Sequence, residues 1–337
     1  MNSKPARHTN YFGQHDLPQE QQDALARAVR LEWISTVIRI FTVALIFSLA
    51  GSSQAMKASW IEDGLAFIPP IAFLIAVRYI SRRPTPRHPY GFHRAIGVGH
   101  LVAAVALLTF GLYLFVESAM GLVTLEHPPI GMLEIFGVSV WAGWPMAVAS
   151  VLVAIPSVIL GRMKIKLAPV LHNKMLYADA DMNKADWMTG LATGGGLLLV
   201  GAGFWWADAT AAVIISIGII RDGVRNLRGS LAGLIDARIT TTDDNTPHPL
   251  LTELQEVLEE YDWVAEAGVR ARDQGQVFHT EAFVVPRGQT LATLDELEEA
   301  REYCSDLDWK LHDLVIIPVS VLPEGFLFRD DDDANEE

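Results

Sequence analysis

An eleven-residue stretch, Tyr177–Trp187, concentrates side chains that could bind a cation. It opens an apolar run that continues to Val200, and ionisable groups in a membrane helix are costly and usually mark an ion pathway. Four of its side chains follow the spacing i, i+3, i+4, i+7, which places them on one helical face; they are Asp179, Met182, Asn183 and Asp186. Three oxygen-bearing side chains and a thioether on one face form a candidate metal site.

The composition places this stretch in a membrane protein with an acidic, water-soluble end. Half of the 337 residues are hydrophobic, and the long apolar runs fall in the first two thirds of the chain. A formal net charge of −14 argues against a nucleic-acid partner, because the phosphate backbone binds basic surfaces. The single cysteine, Cys304, excludes an internal disulfide and a cysteine-cluster metal site.

Six apolar stretches are long enough to cross a bilayer, which takes roughly 20 apolar residues. They cover approximately residues 33–50, 60–80, 98–116, 138–160, 176–200 and 204–220. Basic residues cluster after the second, fourth and sixth stretches, whereas the segment from Glu117 to Gly137 contains neither Lys nor Arg. By the positive-inside rule, the sequence predicts that both termini are cytoplasmic.

The chain after Asp236 reads as a small mixed domain. The apolar spacing alternates between helical and strand periods, in the order helix–strand–strand–helix–strand between about residues 250 and 321. That order suits an α+β domain with helices on one face of a sheet. The acidic tail, residues 326–337, is a like-charge block typical of disordered segments.

Three local motifs, in this architecture, resemble the cation diffusion facilitator family. His88-Pro-Tyr-Gly-Phe-His-Arg94 is similar to the family's HPYGHxR loop after helix two. Ala178-Asp-Ala180 followed by Asp186 is similar to the ADAxHxxxD opening of helix five. Ala207-Asp208 and the Leu234-Ile-Asp236 ending are similar to helix six. The resemblance covers roughly residues 31–323, and the order and spacing of the motifs together carry it.

The resemblance implies a homodimeric exporter with six transmembrane helices and a C-terminal cytoplasmic ferredoxin-like α+β domain. The chain would then contain an N-terminal cytoplasmic tail (1–30), a transmembrane cation efflux domain (31–236), a ferredoxin-like dimerisation domain (237–325) and the acidic tail. We expect a multi-pass protein of the cell (inner) membrane. Its partners would be the lipid bilayer, a second copy of the chain, a divalent metal ion and protons, with no nucleic acid. We expect a transporter rather than an enzyme, without a resident cofactor.

The family's transport site consists of two ligand pairs, one on helix two and one on helix five, each four residues apart. Carried over to this sequence, the helix-five pair falls on Met182 and Asp186, and the helix-two pair falls on Glu62 and Ala66. One usual ligand is therefore replaced on each helix. The family loop changes as well, because Phe92 stands where a histidine is usual.

The oxygens around these positions could rebuild the site for a harder cation such as Mn²⁺, Fe²⁺ or Mg²⁺. Zn²⁺ is less favoured, because no histidine or thiolate lies in the predicted site. The predicted metal ligands are Glu62, Asp63, Asp179, Met182, Asn183 and Asp186.

Two other interpretations of the charged stretch remain open. Lys184 could neutralise Asp181, three residues before it, and the remaining charges could form a structural ion-pair cluster. The protein would then be a transport-inactive relative that acts as a membrane scaffold or as a metal or proton sensor. In the other interpretation, the carboxylates carry protons alone, since intramembrane carboxylates usually serve an ion or proton pathway.

Overall fold

The computed structural model describes residues 17–50, 67–125, 132–135, 138–141, 143–243, 246–275, 277–288 and 292–323. Glu62, Asp63, Ala66 and the acidic tail lie outside the described residues. The chain divides into two compact units. The first contains Asp23–Arg78 and Ile96–Leu231, and the second combines Tyr79–Ala95 with the region that begins at Ala232.

The first unit is helical. Its helices are α1 (Gln19–Ala50), α2 (Ile68–Ile80), α3 (Ala95–Val123), α4 (Gly143–Val170), α5 (Lys174–Gly201) and α6 (Ala207–Leu234). One end of α1, α2, α3 and α6 extends into the second unit. A short antiparallel hairpin, β1 (Met132–Ile135) and β2 (Val138–Trp141), precedes α4. Among the described residues, α3 and α4 are long and apolar enough to cross a membrane, and α2 is a shorter apolar helix.

The fourth predicted span begins later than the sequence suggested. We expected a helix from Val138, but residues 138–141 form β2 and the helix begins at Gly143. The Val-Ser-Val-Trp sequence alternates with a period of two and contains β-branched residues, which favours a strand that can pair with β1. Pro145 consequently falls in the first turn of α4, where its missing N–H costs no helical hydrogen bond.

The antiparallel neighbours α4 and α5 pack closely through glycines. A short connection, Leu171–Asn173, joins them, and the Asn173 side chain caps α5 by accepting a hydrogen bond from the Leu176 N–H at 2.9 Å. A Cβ atom added at Gly190 would lie 3.2 Å from the Ser150 carbonyl oxygen, and one at Gly194 would lie 3.3 Å from that of Ala147. These small residues let the two backbones approach, as is typical of membrane helices.

A second close approach joins α3 and α6. A Cβ atom added at Gly223 would lie 2.8 Å from the Leu108 Cα atom, and one at Gly111 would lie 2.9 Å from the Ile219 side chain. A side chain at either position would require neighbouring atoms to move, and at Gly223 those atoms belong to the backbone of Leu108. The separation of α3 and α6 therefore depends on glycine at these positions.

The second unit contains a three-stranded sheet with two helices, in the order that the sequence predicts. Its elements are α7 (Leu250–Glu259), β3 (Val264–Asp273), β4 (Phe278–Pro286), α8 (Leu294–Leu307), a 3₁₀ turn (Trp309–His312) and β5 (Asp313–Pro318). The strand order is β3-β4-β5, with β3 antiparallel and β5 parallel to β4. Leu254, Leu258, Phe278, Cys304 and Leu311 lie fully buried in its core.

The loop that carries the His88–Arg94 motif belongs to this second unit. Arg94 forms an ion pair with Asp236, and its guanidinium also donates to the Leu234 carbonyl oxygen at 3.3 Å. The Tyr90 ring contacts the ring of His279 edge-on, with centroids 5.9 Å apart. The loop is therefore held by the residues that follow α6 and by β4.

His279 and Glu281 take part in ion pairs on the sheet. The His279 ring hydrogen-bonds to Asp313 on the neighbouring strand. Partial burial opposes ionisation of Glu281, but the hydrogen bond from Arg270 at 2.6 Å and the nearby charge of Arg272 lower the pKa of its carboxyl below the ordinary value. These contacts hold His279 between Asp313 of β5 and Glu281 of β4, which gives it a structural role in the sheet.

We predict that Gly223→Ala destabilises the protein by about 1–3 kcal/mol, because the added methyl group must push the Leu108 backbone away. Gly218→Ala on the same helix is the matched control, since no atom lies within 4 Å of its added Cβ. The control should be neutral or slightly stabilising, because alanine favours a helix. Thermal unfolding of the detergent-solubilised protein measures both, and equal melting temperatures for the two variants would contradict the close approach.

We also predict that Cys304 is unreactive in the folded protein. Burial raises the pKa of its thiol to about 11, so very little of the reactive thiolate exists at neutral pH. A thiol reagent such as Ellman's reagent should modify the native chain negligibly and should modify one thiol per chain after denaturation. Fast stoichiometric labelling of the native protein would show that the core around α8 is open.

Candidate cation site

Helix α5 presents charged side chains towards two different sets of neighbours. Asp179 and Asp186 contact basic residues on α4 and α1, respectively. Asp181 and Lys184 contact charged residues on α6. The charged stretch is therefore a meeting point of four helices rather than a single exposed face.

The Asp186 carboxylate is paired with a basic residue on α1. The Arg39 guanidinium donates from Nη2 to Asp186 Oδ2 at 2.6 Å, and the two side chains are only 16% and 18% exposed. Such charge-assisted hydrogen bonds are stronger than neutral ones. Asp186, which the family resemblance identifies as a ligand, thus carries a positive partner within the protein itself.

Asp179 belongs to a fully buried cluster of three charged side chains. The Lys164 ammonium on α4 lies between Asp179 and Glu32, and its Nζ atom is 2.8 Å from Glu32 Oε2. All three side chains are inaccessible to solvent. Among the residues that the structure describes, none donates a hydrogen bond to the buried atoms Glu32 Oε1 and Asp179 Oδ1. Two carboxylates share one ammonium, so the cluster has a surplus of acceptor oxygens when both carboxylates are ionised.

Asn183 and Met182 occupy different surroundings. The Asn183 side-chain amide donates to the Asp179 carbonyl oxygen at 2.9 Å, and its Cβ atom lies opposite Gly161 of α4. Met182 is fully buried in an apolar cluster with residues of α3 and α6, including Leu107, Phe110 and Ile219. The common face predicted from spacing is therefore divided, with Asp179, Asn183 and Asp186 towards α4 and α1, and Met182 towards α3 and α6.

The pairing of Lys184 differs from the prediction. Its ammonium lies 2.7 Å from Asp222 on α6, whereas Asp181 accepts hydrogen bonds from Arg225 and Asn226, both at 2.9 Å. The reason is geometric: Lys184 and Asp181 each reach across to α6, where oppositely charged partners are spaced to receive them. Structural ion pairs thus do form in this stretch, with partners on another helix.

Sequence reasoning missed three basic or acidic partners of the predicted ligands. Arg39 was visible as the one basic residue in the first apolar stretch, and that signal could have identified it. Lys164 was grouped with the basic loop residues, and Glu32 precedes the first predicted span. Neither residue carries a local signal, because their pairing depends on how α1, α4 and α5 pack.

No group of three or more His, Cys, Asp and Glu side chains is arranged to hold a metal ion within the described ranges. Glu62 and Asp63, the predicted ligands from helix two, lie outside those ranges. Asp186 pairs with Arg39, and Asp179 shares Lys164 with Glu32. A carboxylate in such an ion pair can exchange its basic side chain for a metal ion and still have a positive partner.

Comparison with known proteins identifies the helical region. Residues 32–235, more than half of the chain, match the family model of the cation efflux transmembrane domain. The chain is similar to the manganese efflux system protein MneS of Bacillus subtilis, at 24% identity over 188 residues, which cover 56% of this chain and 61% of that protein. It is also similar to mitochondrial metal transporter 2 of Saccharomyces cerevisiae, at 24% identity over 254 residues, 69% of this chain and 50% of that protein. The chain thus spans about half to three fifths of these relatives.

We predict that Lys164→Met destabilises the protein by roughly 3–5 kcal/mol, because it leaves Glu32 and Asp179 buried without a counter-charge. Lys166→Met is the control, since Lys166 is exposed on the same helix and its loss should be nearly neutral. Adding Glu32→Gln to Lys164→Met should recover part of the loss by removing one uncompensated charge. Chemical denaturation of the solubilised protein measures all three, and a stable single variant would contradict the buried cluster.

Proposed function

The chain belongs to the cation diffusion facilitator family, whose members are transporters rather than enzymes, and we propose that it exports a divalent metal cation by secondary active transport. The cation would leave the cytoplasm in exchange for inward-moving protons. One observation carries the proposal: two acidic side chains of α5, Asp179 and Asp186, lie inside the matched cation efflux domain.

The proposed core ligands are Glu62 on helix two and Asp186 on α5. Asp63, Asp179 and Asn183 would complete the coordination or deliver the cation, whereas Met182, which packs against α3 and α6, lies outside this set. An oxygen-dominated ligand set favours Mn²⁺, Fe²⁺ or Mg²⁺ over Zn²⁺. The name of one relative, a manganese efflux system protein, supports Mn²⁺ as the first cation to test.

Carboxylate ligands also suit exchange against protons. A proton and a metal ion compete for the same oxygens, so metal affinity falls as the pH falls. A site that binds metal on one side and accepts protons on the other can therefore use a proton gradient to release its cargo.

The proposed architecture has six transmembrane helices, α1 to α6, with both termini in the cytoplasm. Alternating access would come from rocking the helices that carry the site against their neighbours. The C-terminal domain, with its two helices and three-stranded sheet, would adopt a ferredoxin-like fold. It would hold a homodimer through a two-fold contact, which is the commonest arrangement for identical chains.

A transport-inactive scaffold or sensor is the second candidate. It is favoured by one specific observation, namely that Asp179 and Asp186 both form ion pairs with basic side chains of other helices. Ion pairs of this kind can hold helices together without binding a metal. Metal flux separates the two candidates, because only the exporter moves ions across a membrane.

We predict that Asp186→Asn lowers Mn²⁺ flux into proteoliposomes at least tenfold, because it removes a charged core ligand. Glu117→Gln is the control, since Glu117 is an exposed carboxylate on α3. Flux is measured with a metal-sensitive dye inside the vesicles, with and without a pH gradient. If Asp186→Asn moves every tested divalent cation as fast as the wild type, the proposed mechanism is wrong. If the wild type moves none of them, the scaffold or sensor function is favoured.

A further inference from the structure

We propose that Arg39 is a built-in competitor of the transported cation. Its guanidinium holds Asp186 and has to move away from this carboxylate for a divalent ion to bind there tightly. The inference rests on the proposed function, because it takes Asp186 as a metal ligand. It adds to that function a residue on another helix that sets how tightly the cation is held.

The geometry of the pair carries the first step. Arg39 Nη2 and Asp186 Oδ2 are 2.6 Å apart, although the two residues are separated by 147 positions in the chain. Both side chains are largely shielded from water. Because water and salt are excluded, they do not weaken the attraction between Arg39 and Asp186. The guanidinium therefore competes strongly with any other cation for these oxygens.

The surroundings of Arg39 point the same way. Neighbouring residues on α1 are large, apolar and strongly exposed; they are Val37, Ile40 and Phe41. A guanidinium in such a helix is costly unless it faces the bundle interior and finds a partner. Arg39 faces Asp186 rather than the exposed side of the helix, so the ion pair with Asp186 helps to make a charge tolerable at this position.

The metal ion and the guanidinium compete for the Asp186 carboxylate. Both are positive, so a metal ion that binds beside Arg39 Nη2, which lies 2.6 Å from Asp186 Oδ2, is repelled by the guanidinium in a site shielded from water. The apparent affinity for metal is therefore reduced by the fraction of protein in which Asp186 is released from Arg39. A charge-assisted hydrogen bond of ordinary strength predicts a reduction of roughly ten- to hundredfold.

The displaced guanidinium stays near other negative charge. The Glu32–Lys164–Asp179 cluster lies two helical turns from Arg39 along α1, or about 10 Å. It contains two carboxylates and one ammonium. Arg39 can therefore leave Asp186 without becoming an isolated charge, and it can return when the metal departs. Its return would assist release of the cation.

A simpler role for Arg39 is to tie α1 to α5. The two roles predict opposite effects of removing the charge. If Arg39 only holds α1 against α5, its removal loosens the site and weakens metal binding. If Arg39 competes with the metal, its removal releases Asp186 and strengthens metal binding. Metal affinity therefore separates the two roles even if stability falls in both cases.

The test is Mn²⁺ binding by calorimetry on the purified full-length protein. Arg39→Gln should tighten binding at least tenfold. Arg39→Lys keeps the charge but replaces the planar guanidinium that donates to Asp186 Oδ2, so it should tighten binding by a smaller factor. Lys184→Gln is the matched control, because it removes a cation from α5 that pairs with Asp222 rather than with Asp186, and its affinity should equal that of the wild type.

Unchanged or weaker binding in Arg39→Gln would overturn the proposal, as would equal tightening in Lys184→Gln. If Arg39→Gln does not fold, Arg39→Lys decides, since unchanged or weaker binding in that variant also overturns it. Flux in proteoliposomes keeps this result apart from the exporter function. Tighter binding without flux in any variant supports the role of Arg39 and rejects export. Flux together with unchanged Mn²⁺ affinity in the Arg39 variants supports export and rejects the role of Arg39. If neither the wild type nor either Arg39 variant binds Mn²⁺, the proposal is also overturned.

Discussion

The helical unit depends on keeping every buried carboxylate of α5 next to a positive charge. Asp179, Asp181 and Asp186 each meet this constraint with a partner from a different helix, namely α4, α6 and α1. Removing one partner would leave an uncompensated charge, which costs far more than the intact pair contributes. The pairs therefore fix which helices lie beside α5, and the same oxygens remain chemically suited to accept a metal ion.

Much of the fold follows from simple patterns in the sequence. Apolar run length located the helices from α3 to α6, and the change of period after Asp236 predicted the order of elements in the second unit. The error at Val138 arose because hydropathy alone cannot separate a short apolar strand from the start of a helix. There, alternation and β-branched residues decided the local structure.

The candidate site was less accessible from the sequence, for a physical reason. Helical spacing put Asp179, Met182 and Asp186 near one another on a wheel, but a side chain's neighbours depend on which helix lies opposite. Met182 turned out to pack among apolar residues of α3 and α6, and Lys184 found Asp222 instead of Asp181. Partners from distant parts of the chain, such as Glu32 and Arg39, become visible only when the helices are assembled.

The glycine contacts divide the helical unit into stiff and exchangeable interfaces. Backbones that touch at Gly223 and Leu108, or at Gly190 and Ser150, leave no side chain to rearrange, so α3 with α6 and α4 with α5 should each move as one rigid pair. The charged contacts that link α1 to α4 and α5, and α5 to α6, can break and re-form with other cations. We therefore expect the helices of this bundle to move relative to one another at the charged contacts. The same ion pairs would then control both the helix movement and the binding of a cation.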